Sequence, residues 1–304
     1  MTILEALQWA NNKLKKSGVE SPMLDAEVLL SHLLGISKAR LFSHFTDPLK
    51  QHHQEQFNTL IVRRSSFEPV AYLIGKKAFF GRDFAVNPFV LIPRPATESL
   101  VTEALTQFAA AEDPEKSLFV DIGTGSGAIA ISLAAETQSP VVATDLSPHA
   151  LSVAEKNATE HGVQDLIDFR QGSLLDPIVE LFETMRSTST KPISSVYPFK
   201  HLIVCANLPY LTDNQMETLQ PDVRKFEPHE ALKAGPDGLE AYWQLFKQFK
   251  KHRDMLPRHV AVLIEIDPSQ TTRAVELIQH QFPQSTPEIK KDLQGLHRII
   301  LSSI

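Results

Sequence analysis

The chain has 304 residues, of which 42% are hydrophobic and 22% charged, as expected for a globular protein with one large domain or two unequal ones. Its formal net charge of −6 argues against a generally basic surface that wraps nucleic acid. The single cysteine, Cys205, has no partner for an internal disulfide, and no apolar stretch reaches the roughly 18 residues that span a bilayer. We therefore expect a cytoplasmic protein without a membrane anchor.

The first part of the chain is predicted to be helical. Apolar residues recur at helical spacing over residues 2–18 and again over 21–35, where a proline begins the segment and a glycine ends it. A third helix is predicted at about 49–64, with a short helical connection at 41–45. Together they predict a small all-helical domain over residues 1–68.

The pattern changes after Pro69. Residues 70–75 and 77–86 are aromatic and β-branched runs interrupted by glycine, which is typical of a β-hairpin. The prolines on either side of Arg94 hold the backbone extended, and a helix then runs to about residue 110. We predict a hairpin linker over residues 69–92 and a catalytic domain over 93–304.

From residue 117 onwards, strands alternate with helices, which predicts a mainly parallel sheet with helices on both faces. The predicted strands are 118–121, 141–145, 167–170, 202–206 and 259–266, and the helices between them include 127–136, 148–161 and 239–252. Residues 288–293 and 297–302 are predicted to form a terminal hairpin with one antiparallel strand. Residues 184–198, rich in Ser, Thr and Pro, are predicted to form a surface loop.

A glycine-rich loop, DIGTGSGA at 121–128, directly follows an apolar strand and opens a helix. Glycines allow a tight turn and let a ligand approach the backbone. A dinucleotide fingerprint needs its third glycine at position 128, which is Ala here, so the spacing is G-x-G-x-G. Asp145 ends the next strand, where a carboxylate can accept the ribose hydroxyls of an adenosine. With Asp121 just ahead of it, the loop resembles the S-adenosylmethionine loop of class I methyltransferases, and this resemblance implies a Rossmann-like, seven-stranded sheet.

The turn NLPY at 207–210 follows a second buried strand and is the candidate catalytic element. The side-chain oxygen of Asn207 and the carbonyl of Leu208 can accept the two N–H donors of a planar –NH₂ group, whose nitrogen then faces a methyl donor. Pro209 ends the strand, and Tyr210 can pack against the planar group and exclude water. This turn resembles that of the amino-methyltransferases, which need no metal.

Four segments in the same order, LIPRPATE (91–98), DIGTGSG (121–127), NLPY (207–210) and ALKAGPDGL (231–239), resemble the HemK/PrmC family, the peptide chain release factor glutamine methyltransferases. The resemblance implies methylation of the glutamine in the Gly-Gly-Gln motif of class 1 release factors. It also implies that the helical domain grips the release factor. We expect no direct binding of nucleic acid, since neither a target-recognition domain nor a positive channel is evident, and we expect the enzyme to act as a monomer.

The resemblance also assigns the site residues. The predicted cofactor-binding residues are Asp121, Gly123, Thr124, Gly125, Ser126, Gly127, Asp145, Leu174 and Asn207. The predicted substrate-binding residues are Asn207, Leu208, Pro209 and Tyr210, with Arg94 and Glu98 at the pocket entrance, although a salt-linked helix start explains these last two equally well.

The chain departs from the family pattern at two positions. The family turn usually has Pro in place of Leu208, and the family usually has Glu in place of Ala96. Two other substrates remain open: a glutamine of a large-subunit ribosomal protein, and an adenine of DNA or RNA, since Asn-Leu-Pro-Tyr also occurs in ribosomal RNA adenine dimethylases.

Overall fold

The computed structural model describes residues 1–187 and 199–304. The chain divides into two compact units. The first comprises Met1–Lys76, Val86–Pro88 and Leu219–Glu227, and the second comprises Lys77–Ala85, Phe89–Thr218 and Pro228–Ile304.

The first unit is helical, as the sequence predicts. Its N-terminal helices are α1 (Ile3–Lys16), α2 (Pro22–Leu34), α3 (Lys38–Ser43), α4 (Gln51–Ser65) and α5 (Val70–Ile74). Thr2 and Glu5 form a capping box at the start of α1, which satisfies two otherwise unpaired backbone N–H groups. Gly35 ends α2 in the left-handed conformation with φ 63°.

Residues 70–74 correct the sequence prediction, because they form helix α5 rather than the first strand of the hairpin. Pro69 precedes the helix and Gly75 ends it with φ 74°, so the turn residues that suggested strand ends are helix boundaries. Tyr72 and Leu73 are buried, and Leu73 belongs to the apolar core of the helical unit. Three β-branched or aromatic residues, Val70, Tyr72 and Ile74, are helical here because tertiary packing outweighs their weak strand propensity.

A segment from much later in the chain, residues 219–227, also belongs to the helical unit. Arg64 forms a buried ion pair with Asp25 at 2.7 Å, and its Nη2 lies 3.8 Å from Asp222 Oδ2. The Gln220 amide donates to the Glu20 carboxylate at 3.0 Å. Residues 219–227 therefore belong to this unit although they lie far along the sequence, and no pattern in the sequence indicates it.

The second unit is built on a seven-stranded sheet. Its strands are β3 (Ser117–Ile122), β4 (Val141–Asp145), β5 (Ile167–Gln171), β6 (His201–Ala206), β7 (His259–Glu265), β8 (Glu288–Lys291) and β9 (His297–Ser303). Their order is β5-β4-β3-β6-β7-β9-β8, with β3 to β7 parallel and β9 antiparallel to both neighbours. The predicted fold class is confirmed. The hairpin β1 (Lys76–Phe79) and β2 (Arg82–Ala85) turns at Phe80 and Gly81, which both have positive φ.

Helices cover both faces of the sheet. They are α6 (Glu98–Ala110), α7 (Ala128–Thr137), α8 (Pro148–Glu160), α9 (Asp176–Ser187), α12 (Glu240–Lys251) and α13 (Thr271–Gln281). The short helix α10 (Asp213–Thr218) follows the NLPY turn and has no buried residue, and α11 (Pro221–Phe226) lies in the helical unit. Phe119 faces the core formed with α6 and α7, whereas Leu118 and Val120 face α9, α12 and α13. Residues 184–187 end α9 and are not part of a loop, which corrects that prediction; the rest of the predicted loop, 188–198, lies outside the described residues.

The strand order reverses between β3 and β6. Ile122 and Ala206, the last residues of these strands, are paired in register. Each strand leaves the sheet at the same edge, so the glycine loop and the NLPY turn begin side by side. In open α/β sheets, this crevice is where ligands bind.

Candidate active site

The loop from β3 into α7 is held by hydrogen bonds between its backbone and that of β4. The N–H groups of Gly123 and Thr124 both donate to the Thr144 carbonyl at 2.8 Å. Gly123, Gly125 and Gly127 have φ of +75°, +55° and +81°, a region that glycine enters without steric cost. A Cβ on Gly127 would lie 2.8 Å from Ile131 Cδ1, whereas one on Gly125 would meet no atom within 4 Å. Gly127 is thus required for packing, and Gly125 faces open space.

Asp121 lies fully buried beneath the loop. Its Oδ2 accepts hydrogen bonds from the Thr124 hydroxyl at 2.6 Å and the Ala130 N–H at 3.1 Å. Burial raises the pKa of this carboxyl to about 7, against the effect of both hydrogen bonds, and the charge of Asp145 raises it further. Its Oδ1 has no hydrogen-bond partner among the described residues. A buried acceptor without a partner is costly, so this oxygen is suited to a positively charged ligand.

Asp145 ends β4 and connects it to the loop. Its Oδ2 accepts the Gly125 N–H and its Oδ1 accepts the Ser147 N–H, both at 2.9 Å. A carboxylate offers about four lone-pair sites, so the group can also accept ligand hydroxyls beside its backbone hydrogen bonds. Burial raises the pKa of Asp145 despite these backbone hydrogen bonds. The next residue, Leu146, is 68% exposed, and this apolar side chain at the strand edge escaped the sequence analysis.

These residues suit the predicted cofactor, S-adenosylmethionine. The open space over Gly125 admits the ligand to the backbone, the Asp145 carboxylate is placed for a ribose, and the free oxygen of Asp121 favours a cation. Leu174 follows β5 with a left-handed φ of +51°, which is strained for a branched side chain, and it packs against the core on the α9 face. Its contact with adenine stays a prediction.

The Asn207 side chain is anchored by its nitrogen. Its Nδ2 donates to Thr97 Oγ1 at 3.1 Å, and Thr97 is buried in the turn of 3₁₀ helix before α6. Among the described residues, neither Asn207 Oδ1 nor the Leu208 carbonyl accepts a hydrogen bond. The two acceptors that the sequence assigns to the substrate are therefore free of protein donors.

Leu208 is held by its backbone and by its side chain. Its N–H donates to the Tyr242 hydroxyl at 3.1 Å, and that hydroxyl contacts the carbonyls of Ala206 and Glu265. Its side chain is buried, and its Cδ2 would lie 3.1 Å from a Cβ on Gly123. A proline at position 208 would have no N–H to donate, so the buried Tyr242 hydroxyl restrains this turn in a way that the usual family residue does not allow.

Tyr210 is fixed at both its hydroxyl and its carbonyl. The hydroxyl donates to Glu265 Oε1 at 3.4 Å, and the carbonyl accepts Gln270 Nε2 at 2.8 Å. A Cβ on Gly238 would lie 2.1 Å from the Tyr210 carbonyl oxygen. Only glycine fits beside that carbonyl, which explains the second glycine of ALKAGPDGL.

The two residues predicted at the pocket entrance have different surroundings. Glu98 begins α6, and its Oε1 accepts the N–H of Phe80 at the tip of the hairpin, at 2.9 Å. The charge of Arg94 lowers the pKa of Glu265 and of Tyr210, which places it near the turn, although burial raises both pKa values overall. The entrance roles of Arg94 and Glu98 stay predictions.

Several residues of the site escaped the sequence analysis. Thr97, Tyr242, Glu265 and Gln270 support the turn, and the buried Asn157 connects the loop to the hairpin through Ser126 and Ala85. Of these, only Glu265 carries a local signal, because it is an acidic residue at the end of an apolar strand.

Cys205 is a buried apolar residue as predicted, and burial raises the pKa of its thiol. In the described part of the chain, no helix is long and apolar enough to cross a membrane, and no His, Cys, Asp or Glu group of three or more could hold a metal ion.

The chain matches two family models, the PrmC N-terminal domain over residues 5–75 and a methyltransferase domain over residues 115–256. Among solved structures, it is similar to the hMettl16 catalytic domain in complex with MAT2A 3'UTR hairpin 6, with a TM-score of 0.53 over 83% of this chain and 81% of that one. The two are 16% identical, so this likeness concerns the fold alone.

Relatives of known name match over most of their length. The chain is 35% identical to the release factor glutamine methyltransferase of Bacillus subtilis (strain 168) over 100% of this chain and 98% of that protein. It is 36% identical to the protein of the same name from Geobacter sulfurreducens, over 79% of this chain and 76% of that protein. The resemblance seen in the sequence motifs is therefore confirmed: the chain belongs to the release factor glutamine methyltransferase family.

Proposed function

We propose that this protein transfers a methyl group from S-adenosylmethionine to the side-chain amide nitrogen of the glutamine in the Gly-Gly-Gln motif of class 1 release factors. Membership of the family supports the reaction. The observation that carries the assignment of the site is the anchored Asn207 amide, whose nitrogen is bound to Thr97 while its oxygen accepts no hydrogen bond from the described residues.

An amide nitrogen is a poor nucleophile because its lone pair is delocalised. S-adenosylmethionine, when bound, supplies an electrophilic methyl group. Asn207 Oδ1 and the Leu208 carbonyl accept the two N–H donors of the substrate amide and fix the direction of its nitrogen. Both acceptors also stabilise the positive charge that develops on that nitrogen. Holding the nitrogen and the methyl group in line supplies much of the remaining rate enhancement.

The cofactor is bound by the residues of the loop and of β4. Gly123, Thr124, Gly125, Ser126 and Gly127 offer their backbone to it, and the Asp145 carboxylate accepts its ribose hydroxyls. Asp121, when ionised, places a negative charge beneath the loop, and its Oδ1, which has no hydrogen-bond partner among the described residues, favours the cationic cofactor. Leu146 and Leu174 are proposed to contact the adenine, because both follow strand ends beside Asp145. Pro209 ends β6, and Tyr210 covers the substrate amide and excludes water.

The helical region over residues 1–68 is proposed to recognise the body of the release factor, and residues 93–304 to carry out the transfer. We further propose that the enzyme works as a monomer in the cytoplasm and binds no nucleic acid directly. The net charge of −6 supports the last point.

Labelled S-adenosylmethionine tests the substrate. The protein is incubated separately with purified class 1 release factor, with large-subunit ribosomal proteins and with DNA or RNA. We expect label only in the release factor, at the glutamine of its Gly-Gly-Gln motif, and none in a release factor whose glutamine is replaced by glutamate. Label only in ribosomal protein or nucleic acid would overturn the proposed substrate.

A further inference from the structure

The segment ALKAGPDGL at 231–239 is hydrogen-bonded to the exit of the NLPY turn. The Leu211 N–H, one residue beyond the turn, donates to the Leu232 carbonyl at 2.9 Å, and the Leu211 carbonyl accepts the Ala234 N–H at 2.9 Å. The two stretches thus form a short parallel bridge. This bridge holds the residue after the turn, and a further side chain holds the turn itself.

That side chain is Gln270, which lies in the turn of 3₁₀ helix before α13 and is 5% exposed. Its Nε2 donates to the Tyr210 carbonyl at 2.8 Å and to the Asp237 carbonyl at 3.1 Å. Its Oε1 accepts the Asp267 N–H at 3.1 Å. One buried amide therefore connects three stretches of backbone, namely the NLPY turn, the 231–239 segment and the residues that follow β7.

The orientation of the Gln270 amide is fixed by its partners. A backbone N–H can only donate, so Oε1 must face Asp267, and Nε2 then faces the two carbonyls. Gly238, with a φ of +72°, leaves room for this contact, since a Cβ there would lie 2.2 Å from Gln270 Nε2 and 2.1 Å from the Tyr210 carbonyl oxygen. The glycine of this segment is therefore required for the amide to reach Tyr210.

The Leu208 carbonyl, an acceptor assigned to the substrate, lies between two anchored points of the turn. On one side, the Leu208 N–H donates to the Tyr242 hydroxyl at 3.1 Å, and on the other, the Tyr210 carbonyl accepts Gln270 Nε2. Pro209, between them, has a φ confined to about −65°. Loss of the Gln270 donor would release the second point, so the Leu208 carbonyl and the Tyr210 ring would lose their fixed directions.

We propose that Gln270 is a positioning residue: by holding the Tyr210 carbonyl, it fixes the directions in which the turn presents the Leu208 carbonyl and the Tyr210 ring to the target amide. The 231–239 segment supports it through Asp237 and Gly238. The inference rests on the proposed function, because it assumes that the turn receives the substrate amide.

Two variants of Gln270 and one matched control test the proposal in the full chain. Gln270→Met keeps the length of the side chain and removes both donors, whereas Gln270→Glu keeps the acceptor for the Asp267 N–H and, when ionised, has no donor. The control is Gln281→Met, because Gln281 is 6% exposed and lies at the other end of α13, with its Nε2 3.4 Å from His280 Nδ1.

Each variant is assayed for kcat and KM with release factor at saturating cofactor, and for S-adenosylmethionine affinity by calorimetry. The assays are run well below the unfolding transition that urea denaturation gives for each variant, so that a change in stability alone does not change kcat. We expect Gln270→Met to lower kcat roughly 30-fold, since a small misplacement of a positioning group is costly. KM and cofactor affinity stay within about threefold of the wild type, and Gln281→Met retains near-normal kcat.

Gln270→Glu adds a pH dependence that a loss of packing would not produce. A protonated carboxyl can donate to the Tyr210 carbonyl, whereas an ionised one cannot. Burial disfavours the ionised form and moves its titration toward neutral pH. The charged groups around this position act in both directions, with the carboxylates of Asp237, Asp267 and Glu265 opposing ionisation and the guanidinium groups of Arg94 and Arg298 favouring it.

We expect kcat of Gln270→Glu, relative to the wild type at the same pH, to fall about tenfold between pH 6 and pH 8.5. The same ratio for Gln270→Met is expected to stay constant, because methionine does not titrate. A ratio for Gln270→Glu that does not change with pH would contradict the role of Gln270 as a donor.

Wild-type kcat in Gln270→Met overturns the inference, and so does an equal fall in Gln281→Met, which would assign the effect to α13 as a whole. A loss of cofactor affinity as large as the fall in kcat also overturns it, because the residue would then act on the cofactor loop. A failure of the proposed function looks different, since then the wild type leaves release factor unmethylated or Asn207→Ala remains fully active.

Discussion

The glycine loop and the NLPY turn lie side by side at the edge of one sheet, yet they are held in opposite ways. The loop depends on nearby residues: Asp121 bonds Thr124 and Ala130, three and nine residues away, and Asp145 bonds Gly125 across 20 residues. The bonds that hold the turn span separations of 34, 55, 60 and 110 residues.

This difference separates two ways of building a site. The cofactor loop needs only β3, β4, α7 and α8, which follow one another closely in the chain, and Asn157 of α8 bonds it across 31 residues. The turn is correct only when α6, α12, β7 and the residues before α13 have all reached their places. Substitutions far along the sequence are therefore expected to change methyl transfer while leaving the cofactor loop intact.

The largest expected effect comes from Asn207→Ala, which removes a contact to the substrate. We expect kcat to fall by roughly 1000-fold, since an acceptor for developing charge is lost, while S-adenosylmethionine affinity changes by less than about twofold. Single-turnover assays and calorimetry measure the two quantities. Full activity in this variant would remove Asn207 from the mechanism, and an equal loss of cofactor affinity would remove the contrast between turn and loop.

The next effect tests the loop through Gly127→Ala. The added Cβ would lie 2.8 Å from Ile131 Cδ1 and 3.1 Å from Ala154 Cβ, at a φ of +81°. We expect the free energy of unfolding to fall by about 3 kcal/mol, from overpacking and left-handed strain together. Urea denaturation measures it.

Gly125→Ala is the matched control for that loss of stability. It has a φ of +55° and no atom within 4 Å of the added Cβ, so only the strain remains, and we expect a loss of about 1 kcal/mol. Equal losses at the two positions would contradict the packing role of Gly127.

A smaller effect is expected at Tyr242, which tests how the unusual Leu208 is held. Tyr242→Phe leaves the buried Leu208 N–H without its acceptor, at an expected cost of about 2 kcal/mol in the free energy of unfolding and with a lower kcat. Adding Leu208→Pro removes that unpaired donor, so the double variant is expected to recover part of the loss. Denaturation and kinetics over the double-mutant cycle measure the coupling, and purely additive changes would contradict the role of this hydrogen bond.

The smallest effect is a pH dependence of cofactor affinity through Asp121. The pKa of this carboxyl is raised to about 7, so it is mostly protonated at pH 6 and mostly ionised at pH 8. Because a cationic cofactor favours the ionised form, we expect affinity for S-adenosylmethionine to rise up to about tenfold over this interval. Calorimetry at several pH values measures it. Asp121→Asn is the control and should flatten the profile; an unchanged slope in that variant would assign the titration to another group.

Much of the fold follows from the sequence. Strand β4 has its predicted bounds, the glycine loop follows a strand and opens a helix, and the terminal hairpin is antiparallel. These features are local, since they depend on hydrophobic periodicity and on the conformational freedom of glycine. Residues 70–74 were predicted wrongly because a short apolar run has no periodicity that distinguishes a strand from a buried helix.

The side chains that hold the NLPY turn could not be predicted from the sequence. The side chains of Thr97, Tyr242 and Glu265 converge only because β6 and β7 are neighbours and α6 and α12 lie on opposite faces of the sheet. Likewise, the return of residues 219–227 to the helical unit depends on contacts with Glu20 and Arg64, about which the intervening sequence says nothing.

The sequence by itself determined the class of fold, the cofactor loop, the strand-end carboxylate of Asp145 and the identity of the NLPY turn. The fold class follows from the alternation of strands and helices, and each of the other features depends on a few consecutive residues. Only the tertiary structure decided how that turn is held: a buried tyrosine hydroxyl restrains Leu208, and a buried threonine hydroxyl anchors the Asn207 side chain. The physical reason is that hydrogen bonds between residues far apart in the chain exist only after the strands and helices that carry them have packed.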